Sequence, residues 1–400
     1  MVHVKENPPE LRLGILGLGI AGSSIIPAVK RHPHVRLTAA ATRNQERLAK
    51  FVNDFSAEGF ADARELCRSD AIDAVYIATP TEMHTEHVLI AAEHKKHIIV
   101  EKPLAVTLED ADRMIRAAND NGVILIVGHS HSFEPPIRKM REIIKSGELG
   151  RVRMIHNWYF NDWLYRPRTP EELDTKLGGG VTFRQGSHQF DIIRYLGGGL
   201  VRSVRASTGA WDPERPTEGN HTVFLDFEDG TTATAVYNGY DHFHTTELTF
   251  GIGEGGPLVQ TDMYAKARRT LKNLGKYENE SELKSAAGYG GERAKKYDEE
   301  FRHHPFFGLT IVSCEKGDIR QSPKGLYVYG EEHKYEVELP LDVTGRDVLI
   351  SELYDAVVHG VRPLHDGQWA KANLEICIAS LRSSQERREI LLSHQVAVSD

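Results

Sequence analysis

The rhythm of apolar and polar residues changes once along this chain, near Gly150. Before it, short β-rich runs alternate with helical patterns. Leu11 to Leu16 (LRLGIL), Val35 to Ala41 (VRLTAAA), Ala74 to Ala78, His97 to Val100 and Val123 to Val127 read as buried strands. Helical spacing is read over Ser23 to Arg31, Glu46 to Phe55 and Glu82 to His94, the last with Met83, His87, Ile90, Ala91 and His94 on one face. Thr107 to Asn121 opens with Thr107 as N-cap and Asp110 three residues on, and stops at Asn121-Gly122. This alternation predicts parallel βαβ units in a doubly wound sheet.

After Gly150, Arg151 to Phe160, Val201 to Trp211 and His221 to Tyr240 alternate with period two, and Glu228-Asp229-Gly230 reads as a hairpin turn. The second half is therefore expected to hold a mostly antiparallel open sheet with helices, an α+β domain following an α/β one. Residues 262–302 are charged and lack a long apolar run, which suggests a surface helical insertion or an oligomer contact. Arg346 to His359 and Trp369 to Arg387 are amphipathic helices expected to pack back on the body. The division that follows is 1–130 for the dinucleotide-binding domain, 131–345 for the substrate and oligomerisation domain, and 346–400 for the closing helices.

Composition narrows the classes of function. With 57 acidic against 49 basic residues the formal charge is −8, without long single-sign blocks, which argues against general binding of nucleic acid or anionic lipid. The first apolar stretch, Leu13 to Val29, is broken by glycines and a proline and is no membrane span. The polar first ten residues lack a secretory core, and Cys67, Cys314 and Cys377 lie far apart, so a reducing, cytoplasmic setting is expected. The pairs His129/His131, His242/His244 and His303/His304 have no metal-binding motif around them, and no metal is expected.

Chemistry enters at Gly17-Leu18-Gly19-Ile20-Ala21-Gly22, a G-x-G-x-x-G that follows a strand, opens a helix and heads a βαβ unit. That context points to a dinucleotide pyrophosphate at the turn. Where an acidic residue would hold the ribose 2′-hydroxyl, this chain has Thr42 and Arg43, which favours NADP(H) over NAD(H). Thr79-Pro80 and Glu101-Lys102-Pro103 fall at carboxyl ends of strands and should face the cofactor. A lysine there can stabilise a developing alkoxide.

GLGIAG, ATPTEMH, EKP and GGGVTFRQGSHQFD together resemble the glucose–fructose oxidoreductase / inositol dehydrogenase / MocA superfamily. Within it, VGHSHSFEPPI, LYRPRTPEELD, RQGSHQFDIIRYLGGG and GAWDPERPTEG are similar to proteins labelled phthalate 4,5-cis-dihydrodiol dehydrogenase, and the likeness runs over nearly the whole chain. The resemblance implies Lys102 by the nicotinamide, Glu101 on its ribose, a cis bond before Pro103, and Thr79, Pro80 and His84 along the cofactor. It carries His188 and Asp191 over as catalytic positions, His188 moving a hydroxyl proton and Asp191 orienting the imidazole or merely capping. Where relatives usually have an aspartate, this chain has Arg184. It also implies that the loop of Trp163 reaches the cofactor, and that an open sheet face pairs copies into a homodimer or homotetramer.

Arg184, with Arg166 and Arg168, suits a substrate bearing carboxylates. An ion pair with Glu171 or Glu172 is the competing reading of Arg166 and Arg168. His129 and His131 follow a strand and would line the cleft. The expected activity is hydride transfer between a ring carbinol of a small molecule and nicotinamide, with a carboxylated cis-dihydrodiol as substrate. A sugar, glycoside or cyclitol is the alternative substrate, and a dinucleotide-sensing regulator the alternative function.

Overall fold

The computed structural model describes residues 8–128, 131–259, 264–274, 279–294 and 303–399. Its first sheet has strands β1 (Leu11–Leu16), β2 (Val35–Ala41), β3 (Glu58–Phe60), β4 (Ala74–Ile77), β5 (His97–Glu101) and β6 (Leu125–Gly128), in the order β3-β2-β1-β4-β5-β6. Every pair is parallel. Strands so placed are covered by helices on both faces, which is why β4 reads as an unbroken apolar run and is buried throughout. Strand order reverses between β1 and β4, opening a crevice at their carboxyl ends.

Local signals hold up well here. Asp110 N–H donates to Thr107 Oγ1 at 3.1 Å, starting the helix Leu108–Asn121 as expected. The helix read over Ser23 to Arg31 is in two pieces, Ile20–Ser24 and Ile26–Arg31. Pro27 lies in the first turn of the second piece, where its missing N–H costs nothing.

The second sheet has nine strands: β7 (Val152–Phe160), β8 (Val201–Gly209), β9 (Asn220–Phe227), β10 (Thr232–Asn238), β11 (Leu309–Cys314), β12 (Gly317–Ser322), β13 (Gly325–Gly330), β14 (Lys334–Glu338) and β15 (Ile390–Leu391). They lie in the order β14-β13-β12-β11-β7-β10-β9-β8-β15, and only β7 and β10 pair in parallel. The hairpin forms where expected: Phe227 N–H donates to Thr231 O at 2.9 Å, and Gly230 takes φ +83°. One core runs from β4 and β5 through to β7 and β9 without a break.

The closing helices pack on different layers. Leu349, Ile350, Leu353 and Tyr354 of Gly345–Val358 join the core beside β1, and Arg31 grips Asp347 at 2.8 and 3.0 Å. Helix Gly367–Glu386 lies against Leu108–Asn121 and β8. Among the described residues no helix is long and apolar enough to cross a membrane.

Candidate active site

The glycine turn has the shape a pyrophosphate requires. Gly17 takes φ +99°, and a Cβ on it would come within 2.9 Å of Ala78 O, so only glycine lets the turn lie on the end of β4. A Cβ on Gly22 would sit 1.8 Å from Gly17 O, which fixes the packing of helix on turn. At Gly19 nothing lies within 4 Å of where a Cβ would be. Leu18 and Ile20 complete the turn, Leu18 buried and Ile20 exposed. Thr42 follows β2 and accepts from Asn44 N–H at 3.4 Å, while Arg43 is exposed, with no carboxylate bound to it among the described residues. These residues fit a nicotinamide dinucleotide.

The two loops beyond β4 and β5 are tied together by His84. Its ring nitrogens lie 3.0 Å from Thr79 O and 3.0 Å from Pro103 O, while burial pushes its pKa down to about 4. Thr79 Oγ1 meets His87 Nδ1 at 2.9 Å, and Pro80 stays exposed at the loop tip. The Lys102–Pro103 bond is cis.

Lys102 is the hub of the polar cluster beyond β5. Its ammonium donates to Arg184 O at 2.8 Å, and burial pulls its pKa down to about 8, against the pull of neighbouring Glu101. Glu101 itself accepts from Arg346 at 3.0 Å and from the Tyr76 hydroxyl. Burial works to raise that carboxyl, yet the charges of Arg346 and Lys102 hold it below its usual range. His131, pushed down to about 4 by burial and so neutral, meets the His188 ring edge-on with centroids 4.7 Å apart. Phe307 packs on both imidazoles, at 4.3 and 4.9 Å. His129 lies outside the described residues.

His188 and Asp191 share the buried helix Ser187–Gly197, but Asp191 faces the closing helix. Its carboxylate accepts from Trp369 Nε1 at 2.6 Å and lies 3.9 Å from His365 Nε2. Arg184 sits in a π-helical turn, Thr182–Gly186, and donates to Thr81 Oγ1 at 3.2 Å. Its guanidinium and that of Arg168 each lie 3.6 Å from Glu172 Oε1. Arg168 also stacks 3.9 Å above the ring of buried Trp163. Arg166 instead pairs with Asp162 at 2.7 Å and with Glu254. Burial works to raise Glu254, but Arg166 overcomes it and holds the carboxyl at about 2, with the Tyr159 hydroxyl donating at 2.9 Å.

A parallel sheet with a pyrophosphate turn, a buried lysine at the end of β5 and a histidine on the facing helix matches known proteins along most of the chain. Residues 11–129 match an oxidoreductase family with an NAD-binding Rossmann fold, and residues 137–256 match the GFO/IDH/MocA C-terminal domain. The chain belongs to the Gfo/Idh/MocA oxidoreductase family. A 1-carboxy-3-chloro-3,4-dihydroxycyclohexa-1,5-diene dehydrogenase from Comamonas testosteroni is 39% identical over 379 residues, covering 94% of this chain and 95% of that one. Among solved structures, a dehydrogenase described from Bordetella bronchiseptica RB50 is 42% identical, with TM-score 0.90 over 96% of this chain and 100% of that one. A levoglucosan dehydrogenase complexed with NADH and levoglucosan shares the fold at 19% identity and TM-score 0.73, over 96% and 99% of the two chains.

Some residues of this Gfo/Idh/MocA site gave no signal in the sequence reading. Arg346, Glu254, Tyr159 and Lys284, whose ammonium pairs with Glu172, each reach it from a separate part of the chain. Only their contacts reveal them. Among the described residues no cluster of three or more His, Cys, Asp or Glu could hold a metal ion.

Proposed function

We propose that this oxidoreductase oxidises a ring carbinol of a carboxylated cis-dihydrodiol. The observation that carries the reading is the placing of Lys102 among groups of two kinds. On one side stands His131, which feels the lysine's charge and stacks edge-on with His188; on the other stands Arg184, whose carbonyl holds the lysine and whose side chain leads to a cluster of cations. The Comamonas relative, by its name a carboxylated cyclic diene diol dehydrogenase, supports the same substrate class.

Bound nicotinamide nucleotide supplies the hydride acceptor at the crevice. The chain's own residues do the rest. The Lys102 ammonium polarises the carbinol oxygen and steadies its charge as the C–H bond breaks. His188 takes the hydroxyl proton as the carbonyl forms. Asp191 serves as a positioning residue, anchoring the His188 helix to Trp369. Arg184, Arg168 and Arg166 hold substrate charge or the loops that meet it, and His131 lines the pocket. The hydroxy-enone first formed tautomerises to a catechol, and aromaticity draws the oxidation forward.

Turnover of phthalate cis-4,5-dihydrodiol against a panel of sugars and cyclitols, followed at the reduced-nicotinamide absorbance, tests the proposal. Faster turnover of the diol supports it; turnover of sugars alone overturns it. Thr42 and exposed Arg43, with no acid at the end of β2, support NADP(H) over NAD(H). Calorimetry with both nucleotides should show that preference, and Arg43→Ala should erase it. We also read the outer face of the second sheet, where Met154, Trp158 and Phe224 lie exposed, as the surface that joins copies into a homodimer or homotetramer.

A further inference from the structure

Residues 279–294, within the charged insertion, lie between the two halves of the site. Tyr289 N–H donates to Leu18 O of the glycine turn at 3.1 Å, and its ring packs on Phe51 and Phe55 of the helix Gln45–Phe55. Arg47 of that helix donates to Ser285 Oγ at 2.8 Å. A few residues earlier, Glu280 binds Arg215 through both carboxylate oxygens, at 2.7 and 2.9 Å, and accepts from Arg168 N–H at 2.8 Å. Between these anchors lies Lys284, whose ammonium pairs with Glu172.

Glu172 therefore faces three cations: Lys284, Arg168 and Arg184. It already accepts from Thr169 N–H at 3.0 Å as part of a capping box. Glu280, four residues before Lys284, is spent on Arg215. Arg184 Nε is buried and has no hydrogen-bond partner among the described residues. Three positive charges thus share one carboxylate, Glu172, in a largely buried place. Excess positive charge out of water is costly unless an anion joins it. Burial also pulls Lys284 down to about 8 although a carboxylate touches it, as expected where cations crowd together.

We infer that Lys284 is a specificity-determining residue: the insertion delivers its ammonium beside Arg184 and Arg168 to receive a carboxylate of the substrate. This rests on the carboxylated-diol reading above. The two arginines were legible in the sequence as carboxylate binders. The lysine is not, because it lies about a hundred residues away in a segment without periodicity.

The test is calorimetric titration of phthalate, as a non-reacting dicarboxylate, into enzyme saturated with the nucleotide it binds more tightly. Lys284→Met should weaken phthalate binding about tenfold or more, the usual size of a lost charge-assisted contact. Lys284→Arg should restore most of it. Glu172→Gln should tighten binding, since glutamine can keep the capping bond while shedding the competing charge; a merely structural role would make both variants weaker. Turnover then adds a second readout: the preference in kcat/KM for a carboxylated over an uncharged cis-diol should fall about tenfold in Lys284→Met. Unchanged phthalate affinity in that variant overturns the inference, as does weaker nucleotide binding with phthalate unaffected, which would assign the cation to the cofactor's pyrophosphate. If phthalate binds as expected but the diol is not oxidised, the carboxylate site stands and the proposed reaction falls.

Discussion

A single buried ammonium sets the pH behaviour expected of this enzyme. Burial brings Lys102 to about 8, so the charged form prevails at neutral pH and is lost as pH rises through that value. If the ammonium polarises the carbinol oxygen, kcat/KM for oxidation should fall above about pH 8, and Lys102→Arg should carry that limb upward. Lys102→Met should lower kcat by about a hundredfold or more with a smaller effect on KM, read by initial rates across pH. Lys102 and His188 could be named as candidates from the sequence, Lys102 by its place at the end of a predicted strand and His188 through the family motif it matches. Arg346 could not. It reaches Glu101 from 245 residues away, and long-range pairing leaves no local trace. Asp191 shows the opposite limit: spacing put it one helical turn from His188, but spacing does not tell which way a side chain turns, and Trp369 claims it.

Between elements, Glu134 joins two helix starts. It precedes the helix Pro135–Ser146, and its carboxylate accepts from Gly345 N–H at 3.2 Å, at the opening of Gly345–Val358. Burial nevertheless raises it to about 7. The folded protein thus holds a proton there that the unfolded chain releases near 4.5, and this contribution to stability declines as pH rises from about 4.5 to 7. Glu134→Gln should raise the melting temperature at pH 8, by on the order of 1 kcal/mol in stability, and the gain should vanish towards pH 4.5. The strands β1 and β2 were legible to the residue, since each is a short, mostly apolar run bounded by turn and helix signals. Strands β11 to β14 were not. In β14 nearly every residue is exposed, and such a strand has no apolar alternation to read.

Across the whole molecule, the second sheet has one face in the core and one open. Val236 of β10 lies beside Trp158 in the parallel register, and Phe224 of β9 pairs with Thr234, so apolar side chains run across several strands. Trp158→Glu should convert a dimer or tetramer to a smaller species in light scattering coupled to gel filtration. Unchanged mass would place the contact elsewhere. The fold class was legible because the change of period at Gly150 marks the change of sheet. The role of residues 279–294 was not, since a polar segment takes its meaning from what it touches.

The packing of Leu349, Ile350, Leu353 and Tyr354 beside β1 has a consequence for how the protein is made. The first strand leaves the ribosome early, but a side of the layer it belongs to stays uncovered until some 340 further residues have been synthesised. An N-terminal fragment ending near Gly150 would expose that apolar strip to water and should need a chaperone or aggregate. In the cell, the nucleotide-binding half is therefore finished only after the second sheet has been made.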